Sequence, residues 1–304
     1  MIFYKTKSPV LLLLFNRPEH TKLVFEEVRN AQPEKLYIAL DGPRNNNQDD
    51  LLKTKEIKDY VLKNIDWNCK VFTLFRESNL GCKNAVSDAI TWFFNHENKG
   101  IILEDDCLPL NSFFSFCDDL LTKYEFDERV RHISGVNFLD ADIEIKHSYY
   151  FSKFTHVWGW ASWKRVWNDY SKDILKEFDL DKFDEFYNIY QDKKVCDTII
   201  NELKRVQSDN LNTWDYQYLF LNFINNGLTI IPKYSLIKNI GFDLNSTHTQ
   251  TNPYKSRELE NINTILHPSN YIPKINYDLL SLRKMFKTTF WMKLQSRILL
   301  KSKP

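Results

Sequence analysis

Three consecutive carboxylates, Glu104, Asp105 and Asp106, follow the short apolar run Ile101 to Leu103. Side by side they repel one another unless a cation offsets their charge, and hard divalent cations take oxygen ligands. The arrangement points to a Mg²⁺ or Mn²⁺ site. His248, in the polar stretch Asn245-Ser-Thr-His-Thr249, is a second candidate for a metal or phosphate, its alternative being a solvated loop histidine. Arg17 has the donor geometry to grip a diphosphate. Asp41, in Asp41-Gly-Pro43, reads either as a turn former or as an acceptor for a nucleobase or ribose. Asp215, beside Trp214 and Tyr216, is either a first-turn acid complementing a helix dipole or a general base whose proton affinity an aromatic wall raises.

The composition narrows what this chemistry serves. Seven glycines occur in 304 residues, and no two stand as G-x-G. That excludes the dinucleotide fingerprint and the P-loop, whose backbone amides cradle phosphate. A nucleotide bound here would have its phosphates neutralised by a metal and by cationic side chains. The formal net charge of +1 gives no field for nucleic acid. Five cysteines without a C-x-x-C pair argue against a disulfide framework or a zinc site and favour a reducing cytoplasm. The run Phe154 to Trp167 holds four of the eight tryptophans. Trp163 and Trp167, four apart, read as core; Trp158 and Trp160 flank a glycine and read as pocket lining, since aromatic faces also stack on sugars.

The elements that must position these residues alternate. The sequence predicts strands over Val10–Phe15, Leu36–Leu40, Lys70–Phe75 and Ile101–Leu103. Helices are expected over Pro18–Asn30, from the 45–50 loop to Lys63, and over Asn84–Asn95. Such alternation indicates a doubly wound, mostly parallel sheet. Its strand ends, Asn16-Arg17, Asp41-Gly42, Arg76-Glu77 and Glu104 to Asp106, would share the rim where ligands bind. Beyond residue 110 helices are expected over Phe113–Tyr124, Asp197–Arg205 and Trp214–Asn225. Further strands are expected over Arg131–Val136, Tyr149–Phe151, Leu228–Pro232 and Ser235–Asn239. The six-residue apolar run at Val10 is a first strand, not a signal or a membrane span. Residues 1–250 are expected as one domain, a nucleotide-binding half to about 110 and an acceptor-binding half after it, with 251–304 as an extension. From Leu279 to Pro304 there are seven Lys or Arg, no acid, and apolar residues at 279, 282, 286, 290, 294 and 298. This is a basic amphipathic helix, suited to an anionic membrane surface or to packing on its own domain or a partner.

In this order, the strand ends, acid triplet and aromatic segment resemble the GT-A fold of nucleotide-sugar glycosyltransferases. The closer resemblance is to bacterial relatives of the N-acetylglucosaminyltransferase I family. It rests on Arg17, Asp41, Glu104-Asp105-Asp106, Gly159-Trp160 and Trp214-Asp215, and spans about residues 9 to 249. The resemblance implies that Asp41 contacts the nucleobase and Arg17 the diphosphate. Asp106 would hold Mn²⁺ or Mg²⁺ bridging the phosphates, with Glu104 and Asp105 beside the donor sugar; Lys83 and Trp160 complete the nucleotide-sugar set. Asp215 would take the acceptor proton in an inverting transfer from a UDP-linked sugar. The expected role is surface-polysaccharide synthesis on a glycan or lipid-linked acceptor, in the cytoplasm or at the inner membrane face, with no nucleic-acid partner. Asn16-Arg17-Pro18 and the wealth of tryptophan depart from the family pattern and leave donor and acceptor open. One alternative is a sugar-1-phosphate nucleotidyltransferase, which would need a Gly-rich N-terminal phosphate loop. The other is a catalytically degenerate sugar-binding domain, against which the acid triplet and Asp215 speak.

Overall fold

The computed structural model describes residues 3–141, 143–242 and 259–286. Its centre is an eight-stranded sheet. β1 (Val10–Leu14), β2 (Lys35–Leu40), β3 (Lys70–Phe75) and β4 (Lys99–Glu104) pair in parallel in the order β3-β2-β1-β4. β1 is buried at every position, as a strand covered on both faces must be. The connections are α1 (Pro18–Ala31), α2 (Gln48–Lys63) and α3 (Gly81–His96). Pro18 opens α1, where a missing N–H leaves nothing unpaired. Asn47 caps α2, its side chain accepting the Asp50 N–H at 3.0 Å.

Next come β5 (Cys107–Pro109), α4 (Asn111–Lys123), β6 (Val130–Ser134), β7 (Tyr149–Ser152) and β8 (Trp160–Trp163). They are followed by α5 (Lys164–Trp167), α6 (Glu185–Tyr190), α7 (Lys193–Gln207), α8 (Asp215–Ile224), β9 (Leu228–Pro232) and β10 (Ile237–Asn239). The sheet continues β4-β8-β6-β9-β7, with β6 and β9 parallel to each other and β8 and β7 antiparallel to their neighbours. β5 and β10 form a separate two-stranded ladder just after the turn that ends β4. The class is therefore the expected α/β architecture, a mostly parallel sheet flanked by helices.

The tryptophan segment supplies a strand beyond those expected. Trp160 to Trp163 form β8, inserted antiparallel between β4 and β6, with Ile102 opposite Trp160 and Lys99 opposite Trp163. All four residues are buried, because a central strand covered on both faces accepts bulky side chains on each. Gly159, at φ +58°, makes the turn into this strand, and a side chain there would collide with Ile237.

The expected halves of the domain share one sheet, and the stretch beyond 250 joins the same core through Ile262 and Leu282. Residues 275–286 are helical. Leu282 is fully buried, Arg283 pairs with Asp192, and Lys284 pairs with Asp140. This first part of the expected membrane-facing helix therefore docks on its own domain. Its anchor is Asp278, buried against the end of β7. Ser152 Oγ lies 2.6 Å from one carboxyl oxygen, and the Lys153 N–H donates to the other at 2.9 Å. Burial pushes the Asp278 carboxyl up to about 7, more than these bonds and the Lys153 charge pull it down. The remainder of that helix, and His248, lie outside the described residues. Among the described residues no helix is long and apolar enough to cross a membrane.

Candidate active site

β4 delivers the acid triplet to the carboxyl rim of the sheet, and the chain turns at once into β5. Asp105 is buried; Glu104 and Asp106 are partly so. Arg17, just past β1, points Nη1 at Asp106 Oδ2 (2.7 Å) and lies 3.5 Å from Asp105 Oδ1. One guanidinium thus faces three carboxylates. Burial opposes the Arg17 charge, but Asp105, Asp106 and Glu104 outweigh it and hold the group more firmly protonated than usual. The acids are perturbed the other way. Burial first, then Asp106, Asp105 and Asp215, push Glu104 well above the carboxylate range. Burial and Asp106 push Asp105 up to about 7 against the pull of Arg17 and the Phe15 N–H. Carboxylates that retain protons for want of positive charge are what a cation would relieve.

Among the described residues no three His, Cys, Asp or Glu side chains are arranged to hold a metal by themselves. That suits Mg²⁺-type chemistry, in which one or two carboxylates share the ion with water and substrate phosphates. Asp106 is confined from the opposite side. Its backbone carbonyl accepts the Ile240 N–H at 2.8 Å, and a side chain on Gly241 would strike Asp106 Oδ2. His20 Nε2–H donates to the Ile240 carbonyl at 3.0 Å, tying α1 to this strap.

The remaining expected residues fare unequally. Asp41 ends β2 in reach of the rim, but its carboxylate accepts four protein bonds. These come from the Gly42, Leu80 and Gly81 N–H groups and from Asn79 Nδ2. Those are its four acceptor sites, so the expected nucleobase contact has none left. Asp41 instead caps α3, which is why that helix starts at Gly81 rather than at Asn84. Lys83 Nζ pairs with Asp209 at 3.3 Å, and its N–H donates to Asn212, fastening α3 to the loop before Asp215. Trp160, expected to face the donor sugar, is completely buried, stacked between His132 and Trp214 at centroid distances of 5.2 and 5.7 Å. It belongs to the core because it sits in β8. Trp158, on the other side of Gly159, is the partly exposed one.

Asp215 occupies the first turn of α8 and accepts from Thr213 Oγ1. Burial raises its proton affinity beyond what this bond and the Asp215 and Tyr216 N–H groups offset. Its charge adds to the rise in proton affinity at Glu104. Asp215 also lines a cavity of about 190 Å³, with His156, Trp158, Glu202, Tyr216 and Phe286 among its walls. Sequence reasoning missed His156 and Glu202, although His156 stands inside the aromatic segment. It also missed the clamp behind Arg17. There Arg44 grips buried Asp50 bidentately (2.5 and 2.9 Å), and Asp50 accepts Asn16 Nδ2 at 2.7 Å, which holds the Asp50 carboxyl at about 2.

No protein-family model matches the chain, and no curated protein does. Among solved structures, the mannosyltransferase PcManGT from Pyrobaculum calidifontis, in complex with GDP-Man and Mn²⁺, aligns with 54% of this chain at 10% identity and a TM-score of 0.34. The alignment covers 46% of PcManGT, so the chain spans less than half of that enzyme. HddC from Yersinia pseudotuberculosis, complexed with GMP-PN, aligns over 54% of this chain and 80% of its own, at 14% identity and a TM-score of 0.32. A UDP-glucose pyrophosphorylase complexed with UDP-glucose aligns over 72% of this chain and 97% of its own, at 11% identity and a TM-score of 0.34.

Proposed function

We propose that the protein is a metal-dependent, inverting glycosyltransferase that moves a sugar from a nucleotide-diphosphate donor, UDP-linked, to a hydroxyl of a glycan or lipid-linked acceptor. The observation that carries this reading is the pairing of two unlike centres. A carboxylate cluster starved of positive charge sits at the end of β4, and a separate, partly buried carboxylate, Asp215, lines an aromatic cavity. The first suits a diphosphate with its cation and the second an acceptor hydroxyl.

Asp106 would hold the Mn²⁺ or Mg²⁺, with Asp105 and Glu104 beside it. The ion supplies Lewis-acid stabilisation of the charge that grows on the diphosphate as it leaves. Arg17, poised at the same carboxylates, offers a forked cation to the diphosphate oxygens. Asp215 accepts the proton of the acceptor hydroxyl as that oxygen bonds to the anomeric carbon and the bond to the diphosphate oxygen breaks. The raised proton affinity of Asp215 makes it a better base, and one displacement inverts the carbon.

The test is thermal stabilisation by a panel of nucleotide sugars with and without Mn²⁺, in the wild-type protein and Asp106→Ala. Occupancy at about a hundred times Kd stabilises a protein by roughly 2.7 kcal/mol. A UDP-sugar should raise the wild-type melting temperature only with Mn²⁺, and Asp106→Ala should lose the response. Equal shifts in both proteins, with and without Mn²⁺, would overturn the metal assignment.

A further inference from the structure

The cavity beside Asp215 has a polar group that nothing in the proposed chemistry uses. His156 lies on the segment between β7 and β8 and is only 9% exposed, yet its ring lines the cavity. Its ring nitrogens hydrogen-bond no described residue, and they are not among the fully buried polar atoms that lack a partner, so they are reached from the cavity. The ring is held in place from three sides. Phe138 and Phe154 pack against it at 4.8 and 5.1 Å, inclined at 64° and 53°. Its backbone carbonyl accepts the His132 Nε2–H at 2.8 Å, which pins the segment to β6. Burial, and then the neighbouring His132, push the imidazole down to about 3. At neutral pH it is therefore uncharged, with one nitrogen donating and the other accepting. A sugar hydroxyl offers the same pair of functions in reverse.

The cavity's size and charge select further. About 190 Å³ is a little more than the roughly 150 Å³ of an engineered cavity that takes benzene, which suits one ring. Trp158 and Tyr216 present aromatic walls, and the charged side chains lining it are the carboxylates Asp215 and Glu202, with no lysine or arginine among the described ones. Glu202 is itself paired with Arg205, which leaves Asp215 to set the sign. An acidic sugar would meet negative charge that no described cation lining the cavity offsets. We propose that His156 positions the acceptor by hydrogen-bonding one of its hydroxyls, and that the cavity takes a single uncharged sugar ring of the acceptor. The assignment of this ring as acceptor rests on the glycosyl-transfer reading; its binding does not.

The experiment follows the imidazole ¹⁵N signals of the full-length protein during titration with methyl glycosides of glucose, galactose and N-acetylglucosamine. Methyl glucuronide serves as the acidic control, and the His156 signal is identified by its loss in His156→Phe. At least one neutral glycoside should move that signal, and the glucuronide should not. In transfer assays His156→Phe should raise the acceptor KM about 3- to 10-fold, the worth of one uncharged hydrogen bond. The donor KM should stay the same, and His156→Gln should recover part of the loss. A His156 signal indifferent to every neutral glycoside, or equally responsive to the glucuronide, overturns the proposal, even if transfer is observed. A signal that moves in a protein showing no transfer with any nucleotide sugar supports the ring site and overturns glycosyl transfer instead.

Discussion

Replacing Asp278 by asparagine should stabilise the protein above neutral pH and do nothing below about pH 4. The hydrogen bonding explains why. Ser152 Oγ has one proton and two acceptors in reach, the Phe154 carbonyl at 3.1 Å and Asp278 Oδ1 at 2.6 Å. When Asp278 is protonated, its O–H donates to Ser152 Oγ, the serine proton goes to Phe154, and the Lys153 N–H finds the second carboxyl oxygen. Every group is then satisfied, and the amide introduced by Asp278→Asn would reproduce the pattern with its NH₂ and carbonyl. A carboxyl raised from 3.8 to about 7 binds its proton more tightly folded than unfolded. Stability from this group is therefore greatest at low pH and falls as pH rises from about 4 to about 7, by at most roughly 1.4 kcal/mol per unit. The full difference is about 4 kcal/mol, and asparagine avoids it. With an unfolding entropy near 2.1 cal/mol/K per residue, that is a gain of roughly 6 °C in Tm at about pH 8. Melting curves by circular dichroism between about pH 4 and 8, in EDTA, measure it. An equal difference at both ends, or a less stable variant at about pH 8, would refute the reasoning.

Asp215→Asn should keep metal-dependent donor binding and lower kcat by about 10²- to 10⁴-fold. Steady-state kinetics beside donor titrations check this, and near-normal turnover would remove Asp215 as the base. Ending the chain after Phe286 discards five of the seven cations of the basic segment but spares Asp278 and Leu282. We expect it to abolish sedimentation with anionic vesicles, each lost cation being worth about 1 kcal/mol at such a surface, while the melting temperature holds. Undiminished sedimentation would place any membrane contact elsewhere.

How much was legible follows from where the information resides. β1 to β4 are written locally, as apolar runs cut by Asn16-Arg17, Asp41-Gly42 and the acid triplet, and these strands stand within a residue or two of their expected places. β9 falls on Leu228–Pro232 as expected. In the tryptophan segment Trp163 and Trp167 are core as read and Trp158 lines a cavity, but Trp160 is buried because β4 and β6, distant in sequence, enclose it. Asp41 shows the same limit at the level of a site. Its type and place at a strand end were readable, but the bonds that saturate it come from residues 79 to 81, and only the close approach of Gly42 to Ser78 brings them there. His156 carries no spacing signal; its place on the cavity wall marks it, and a wall built from distant segments is not a property of one of them. Leu282 and Phe286 were recognised as an apolar face, but what that face covers is set by α7 and β7.

The cavity beside Asp215 is assembled from parts far apart in the chain: Phe138 and the segments 154–158, 199–202, 215–219 and 285–286. The carboxylate rim, by contrast, is complete once β10 has paired with β5, apart from what lies outside the described residues. During synthesis these two halves of the site mature at different times. Asn239 and Phe286 are 47 residues apart, and at about 5–20 residues per second the ribosome needs roughly 2–9 s to add them. For that interval a nascent chain can fold its acid cluster while one wall of the pocket has yet to be made.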